Sequence, residues 1–254
     1  MKFDNYIPQV NSNHYINKPK IGIIAGMGPK STGPFIEKVI FYFQTILNFQ
    51  KDDDFPYINI ISLPTPFSIK ETIDKNITLF DLKYSLDSLS NSKINFIAIP
   101  CNTVHKYFTE YKEFTNIPIL NIIDETVNFI IQNTKDKKIA LLATASTISS
   151  ELYQNEFNKN GLSLILDSSI QEKFDSLLNM IKNIEFSDEI KIEKWLSLEK
   201  ELITKGAKSI LSACTDLSFF LNKLPFKQKL ICFDSMDILA KQVVIYYSKL
   251  ANIN

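Results

Sequence analysis

The chain has 254 residues, 45% hydrophobic and 22% charged, which is the balance of a globular protein with room for one large domain or two modest ones. Its 28 basic and 28 acidic residues cancel, so the sequence carries no electrostatic footprint for nucleic acid, and no apolar run reaches the length of a membrane span. The opening stretch through residue 19 is polar and Asn-rich without the apolar segment of a signal peptide, and is expected to be an extension outside the core.

From residue 20 the chain alternates strand and helix patterns. Lys20–Ala25 reads as a buried strand closed by Gly26-Met27-Gly28-Pro29-Lys30-Ser31-Thr32, and a helical pattern follows from Phe35 to about Leu47. Tyr57–Leu63 is a strand, broken by Pro64-Thr65-Pro66, with a helix over roughly Leu79–Leu89. Phe96–Ile99 leads into Pro100-Cys101-Asn102-Thr103 and a helix. Ile117–Leu120 is a short strand, followed by a helix from about Asp124 to Gln132. A second round begins at Ile139–Ala143, closed by Thr144-Ala145-Ser146-Thr147 and a helix from about Ser149. A strand at Leu162–Leu166 precedes helices over Phe174–Ile184 and Ile192–Lys205. Ser209–Ser212 then leads to Cys214, and a strand at Leu230–Phe233 precedes a final helix over Asp237–Leu250.

Alternation of this kind implies an α/β fold with mainly parallel sheets flanked by helices. The order strand–turn–helix, then strand–Cys–helix, occurs twice, which implies a duplicated unit and two pseudo-symmetric domains. The expected division is 20–118 plus 228–254 for the first domain, with Cys101, and 119–227 for the second, with Cys214. Ligands of parallel sheets bind beyond the carboxyl ends of the strands. The four special turns, at 26–32, 101–103, 144–147 and 214–216, all sit at such ends.

The two cysteine settings are the most informative chemistry. A lone Cys is most often a small buried hydrophobe. Two Cys in matching strand–turn–helix contexts point instead to a pair of acid/base thiols facing one cleft, each near helix N-terminal N–H groups that favour a thiolate. Cys232, inside the apolar run Leu230–Phe233, is assigned to core packing. A zinc site is disfavoured by the absence of a C-x-x-C and by only two His. His105 is expected to make a structural hydrogen bond. Thr144, Ser146 and Thr147 fit either an N-cap cluster or an anion site. Gly26-Met27-Gly28-Pro29 lacks the spacing of a dinucleotide or P-loop motif. All basic residues are Lys, so a guanidinium fork for a carboxylate is unavailable. With three Cys and no export signal, a cytoplasmic setting is expected.

The stretches Ile21–Pro29, Pro100–His105, Leu141–Thr147 with Tyr153, Ala213–Leu217 and Phe233–Ala240, in that order, resemble the cofactor-independent aspartate/glutamate racemase family, in particular its aspartate racemase branch. The resemblance covers about residues 20–250. It implies two domains with the active site between them, no cofactor, a small amino-acid substrate and a homodimer. It implies that Cys101 and Cys214 are the acid/base pair. Met27, Asn102, Thr103, Thr144, Thr147 and Thr215 would contact substrate, and Lys182 would bind a carboxylate. The chain departs from the family at Ala213-Cys214-Thr215-Asp216, where Gly-Cys-Thr-Glu is usual. The loop Pro64–Lys70 lacks the Arg of characterised aspartate racemases, leaving Lys70 as a point charge in its place. Three readings remain open: amino-acid racemisation, a related Cys-dependent isomerase or lyase on a small dicarboxylate, and a non-catalytic ligand-binding protein.

Overall fold

The computed structural model describes residues 18–64, 74–136 and 138–253. Lys70, most of the extension and the loop residues 65–73 lie outside the described residues. The first unit runs β1 (Ile21–Ala25), α1 (Thr32–Leu47), β2 (Ile58–Ser62), α2 (Lys75–Asn91), β3 (Phe96–Ala98), α3 (Phe108–Tyr111), β4 (Ile119–Leu120) and α4 (Ile122–Asn133). The second runs β5 (Lys138–Ala143), α5 (Ala145–Ser149), α6 (Leu152–Lys159), β6 (Ser163–Ile165), α7 (Ser168–Lys182), α8 (Asp188–Thr204), β7 (Ser209–Ala213), α9 (Thr215–Leu221), β8 (Ile231–Asp234) and α10 (Ser235–Leu250).

Each unit carries a four-stranded sheet, ordered β2-β1-β3-β4 and β6-β5-β7-β8, and every pairing is parallel. Parallel neighbours cannot be joined by tight hairpins, so helical crossovers are obligatory and the strand–helix alternation follows. The two orders are the same topology, which is the duplication expected from the sequence.

The expected domain boundaries need two corrections. β4 pairs with β3 and so extends the first sheet past residue 118. β8 pairs with β7 and belongs to the second sheet, although it lies in the stretch assigned to the first domain. A short apolar run does not itself specify which sheet edge it extends; completing the second four-stranded sheet does. Only the helix of that stretch returns. α10 packs on α1 of the first unit, and α4 reciprocally packs on α6 of the second. The closing helix of each unit therefore covers a helix of the other.

Side-chain alternation along the strands explains why the units hold together. Ile21, Ile23 and Ala25, with Phe96 and Ala98, face a central core that also takes Ile139, Leu141, Ala143, Leu211 and Ala213 from the second sheet. The intervening residues face outward into each unit's own core: Ile24 and Ile97 with Leu82 and Leu86 of α2, and Ala140, Leu142 and Ile210 with Phe174 and Trp195. Strands buried on both faces read as continuous apolar runs, and these do.

Helix starts follow their capping residues. The side chains of Asp74, Asn121, Thr144, Asp167, Ser187 and Asp234 accept first-turn N–H groups. The helix expected after Cys101 starts as a 3₁₀ segment, Thr103–Tyr107, that runs into α3. Among the described residues no helix is long and apolar enough to cross a membrane.

Gly26 ends β1 with φ +88°, and a Cβ there would lie 2.4 Å from the Leu63 backbone nitrogen. Gly161 has φ +67° with nothing within 4 Å of its would-be Cβ. Gly161→Ala is expected to cost about 1 kcal/mol from backbone strain alone, and Gly26→Ala about 3 kcal/mol or more from strain plus collision. Urea denaturation checks this; equal losses at the two sites would remove the collision argument.

Candidate active site

The two Cys-bearing turns follow equivalent strands, β3 and β7, and open on one narrow cleft. Its walls are Met27, Gly28, Cys101, Asn102 and Thr103 from the first unit and Thr144, Lys182, Ala213, Cys214, Thr215 and Asp216 from the second, and they lie so close together that only about 20 Å³ of space is left between them. Of the residues expected from the sequence, Cys101, Cys214, Met27, Asn102, Thr103, Thr144, Lys182 and Thr215 thus meet in one place. Thr147 stands just behind the wall. Its hydroxyl lies 3.0 Å from that of Thr103 and 3.1 Å from that of Thr144, which are themselves 3.1 Å apart. Of the two roles left open for it, Thr144 fills the first, capping α5 through the Thr147 N–H, and it also lines the cleft.

All three cysteines are free thiols. Cys101 and Cys214 are each 7% exposed, at the floor of the cleft. Backbone N–H groups of Thr103 and Val104 face the Cys101 sulfur, and those of Asp216 and Leu217 face the Cys214 sulfur. These amides lower the thiol pKa, as does Lys182, but burial outweighs them. The Cys101 thiol is pushed up to about 11, chiefly by burial. The Cys214 thiol is pushed up to about 12 by burial and then by the nearby Asp216 carboxylate. This corrects the expectation of lowered thiol pKa values: a few oriented amides do not repay the desolvation of a full charge. Cys232 is partly buried on β8 against the outer core of the second unit, as expected of a packing residue.

Asp216, which the sequence singled out only as a departure from the family pattern, is a site residue. Its carboxylate lies 3.1 Å from the Lys182 ammonium, and its Oδ1 would be 3.2 Å from a Cβ at position 28. Gly28 thus lets the first unit approach the Lys182–Asp216 pair closely. Lys30 donates to the Lys182 carbonyl at 3.0 Å, anchoring the end of α7 that brings Lys182 to the cleft. His105 is structural. Its Nδ1–H donates to the Cys101 carbonyl at 2.7 Å and its Nε2 accepts the Ile122 N–H at 3.4 Å. Burial pushes its pKa down to about 4, so the ring is neutral at pH 7. Among the described residues no group of three or more His, Cys, Asp or Glu is placed to hold a metal ion.

Comparison with known proteins places this arrangement. Residues 24–243 match the family model for Asp/Glu/Hydantoin racemase. The chain belongs to that family. The curated broad-specificity amino-acid racemase RacX of Bacillus subtilis is 37% identical over 227 residues, covering 89% of this chain and 97% of that protein. The glutamate racemase of Persephonella marina is 26% identical over 178 residues, covering 65% and 62%. Among solved structures, the Picrophilus torridus aspartate racemase superposes with a TM-score of 0.74 at 21% identity, covering 92% of this chain and 99% of that one. That likeness carries the racemase-type two-unit fold.

The buried thiols make a stability prediction. Their folded pKa values lie above the ordinary thiol value of 9.0, so the unfolded chain ionises first as pH rises. Their contribution to stability is complete below about pH 9 and is lost toward pH 11 and above. In urea titrations over that window, the Cys101→Ser/Cys214→Ser double variant is expected to lose less stability than wild type. Equal losses would show that the thiols are not the source.

Proposed function

We propose that the protein is a cofactor-independent amino-acid racemase in which Cys101 and Cys214 act as the two acid/base groups on opposite faces of the substrate α-carbon. The observation that carries this reading is the meeting of both thiols, at equivalent strand ends of duplicated units, in one narrow cleft. One thiolate removes the α-proton, and the opposite thiol delivers a proton to the other face. The roles exchange in the reverse direction, so the planar intermediate need not turn over. Nothing in this scheme asks for a group that the chain does not supply.

The residues lining the cleft offer a chemical partner to each part of an amino acid, which the walls must part to admit. The hydroxyls of Thr103, Thr144 and Thr215, the Asn102 amide and the Lys182 ammonium offer donors to a carboxylate, and Asp216 offers an acceptor to an α-ammonium. The amides at each sulfur, together with Lys182, stabilise whichever thiolate forms, and a bound α-ammonium adds to them. Water exclusion strengthens each contact. Aspartate and glutamate are the proposed substrates on family grounds. The 37% identity to a racemase named for broad specificity supports testing other amino acids beside them. Lys182 pairs with Asp216, so a second, side-chain carboxylate has no guanidinium fork to receive it.

The test is proton exchange. In D₂O, racemisation washes deuterium into the α-position of both enantiomers, detected by chiral chromatography and mass spectrometry across the common amino acids. Cys101→Ala and Cys214→Ala are each expected to lower kcat about 1,000-fold. Full turnover in either variant would overturn the two-base scheme, and a stable substrate adduct on one thiol would favour the covalent isomerase or lyase.

A further inference from the structure

The two thiol-bearing turns are joined by a line of buried hydrogen bonds that crosses from one unit to the other. Tyr153, on α6, donates its hydroxyl to Asn102 Oδ1 at 2.6 Å. The Asn102 Nδ2 donates to Ser235 Oγ, at the start of α10, at 3.0 Å. Ser235 Oγ donates to the Ser212 carbonyl at 3.0 Å. Asn102 follows Cys101 directly, and Ser212 lies on β7 two residues before Cys214. Tyr153, Ser212 and Ser235 are fully buried, and Asn102 is 3% exposed.

Chemistry fixes the direction of this line. A carbonyl only accepts, so the single Ser235 proton is committed to Ser212, and the Ser235 oxygen is left to receive the Asn102 amide. That sets the orientation of the Asn102 side chain, whose oxygen then receives the Tyr153 proton. In this order every proton of the line has an acceptor, and the Thr126 and Ser235 hydroxyls also approach that of Tyr153. A second brace acts on the far side of Cys214. Asp234, which caps α10, accepts the Ser218 hydroxyl at 2.6 Å, and the Ser218 N–H donates to the Cys214 carbonyl at 3.1 Å. The start of α10 thus holds the Cys214 turn before and after the thiol, and through Asn102 it holds the Cys101 turn as well.

We infer that Tyr153 and Ser235 are positioning residues that set the spacing and orientation of the two thiols across the cleft. As a statement about catalysis this rests on the two-thiol reading of the site. Neither residue lines the cleft; both act through Asn102 and the Ser212 carbonyl. The line ties the two sulfur-bearing turns, one on each side of the cleft, into one rigid frame despite their origin in different units. Motion that admits substrate must therefore come from elements outside it, such as the α7 end that carries Lys182.

The experiment uses Tyr153→Phe and Ser235→Ala, each of which removes one oxygen. Ser209→Ala is the control, because Ser209 is fully buried and its hydroxyl has no hydrogen-bond partner among the described residues. Two readouts are taken: racemisation kinetics, and pH profiles of iodoacetamide alkylation at Cys101, Cys214 and Cys232, resolved by peptide mass spectrometry. The positioning variants are expected to lower kcat about 10- to 100-fold with KM nearly unchanged. Because enantiomers have equal free energy, kcat/KM must fall by the same factor in both directions. The alkylation profiles of Cys101 and Cys214 should move together while that of Cys232 stays in place, and Ser209→Ala should match wild type. If Tyr153→Phe does not fold, Ser235→Ala decides the matter. Folded variants with unaltered alkylation profiles at both reactive thiols overturn the inference, whether or not kcat falls. Alkylation does not require turnover. A wild-type protein that fails to racemise any amino acid would sink the proposed function while leaving the coupling of the two thiols to be judged separately.

Discussion

The structure depends on a shared core between two sheets of identical topology. Alternate residues of β1, β3, β5 and β7 enter one central cluster, and their neighbours enter two separate outer clusters. Each fully buried Ile, Leu or Phe in such a core contributes about 1.5–3 kcal/mol, so slipping a strand by one residue would exchange the central and outer sets and is strongly disfavoured. Fixing the register fixes where each strand ends. The third strands of both units end in a Cys turn, and the central core sets those ends against each other. The exchanged helices α4 and α10 lock the arrangement, α10 covering α1 of the first unit and α4 covering α6 of the second.

Electrostatics at the cleft are governed by burial, which pushes both thiols up despite two backbone amides at each sulfur and an ammonium nearby. The paired Lys182 and Asp216 leave the wall close to neutral overall. A narrow neutral cleft with two protonated thiols is a resting state. A zwitterionic ligand changes its charges without changing its sum, bringing an ammonium that favours a thiolate and a carboxylate that needs donors. The desolvation that suppresses ionisation in the empty cleft also strengthens every contact with charge that forms during reaction.

Much of this was legible in the sequence because the relevant signals are local. Apolar runs ending in Gly26, Cys101, Thr144 and Cys214 marked strand ends. The repeated context of Cys101 and Cys214 marked the site, and capping residues such as Asp74, Ser187 and Asp234 mark helix starts within a few residues of those expected. What was not legible depended on long-range placement. The sheet taken by β8 follows from which edge is open. The thiol pKa shift follows from how deep the cleft is. Asp216 entered the sequence argument only as a substitution in a pattern; its role appears once α7 delivers Lys182 to it. Tyr153 and Ser235 lay inside the resembling stretches, but their bonds to Asn102 join residues 51 and 133 positions apart, beyond the reach of periodicity.

The near-symmetry of the thiols bears directly on the proposed chemistry. Interconverting enantiomers have equal free energy, so a catalyst that inverts a centre gains nothing from a strong base on one side and a weak one on the other. The protonated partner must become the base on the return passage, and a mismatch would slow one half-cycle as much as it helped the other. Duplication of the unit answers this by giving each sulfur the same strand end, the same paired amides and the same burial. The residual asymmetry is Asp216, which sits beside Cys214 and raises it further than Cys101. Its partner Lys182 acts on both thiols in the opposite sense, offsetting part of the upward push at each sulfur without removing the difference between them. On this argument removing Asp216 alone would bring the two thiols closer together, whereas removing Lys182 alone would raise both and leave the difference in place.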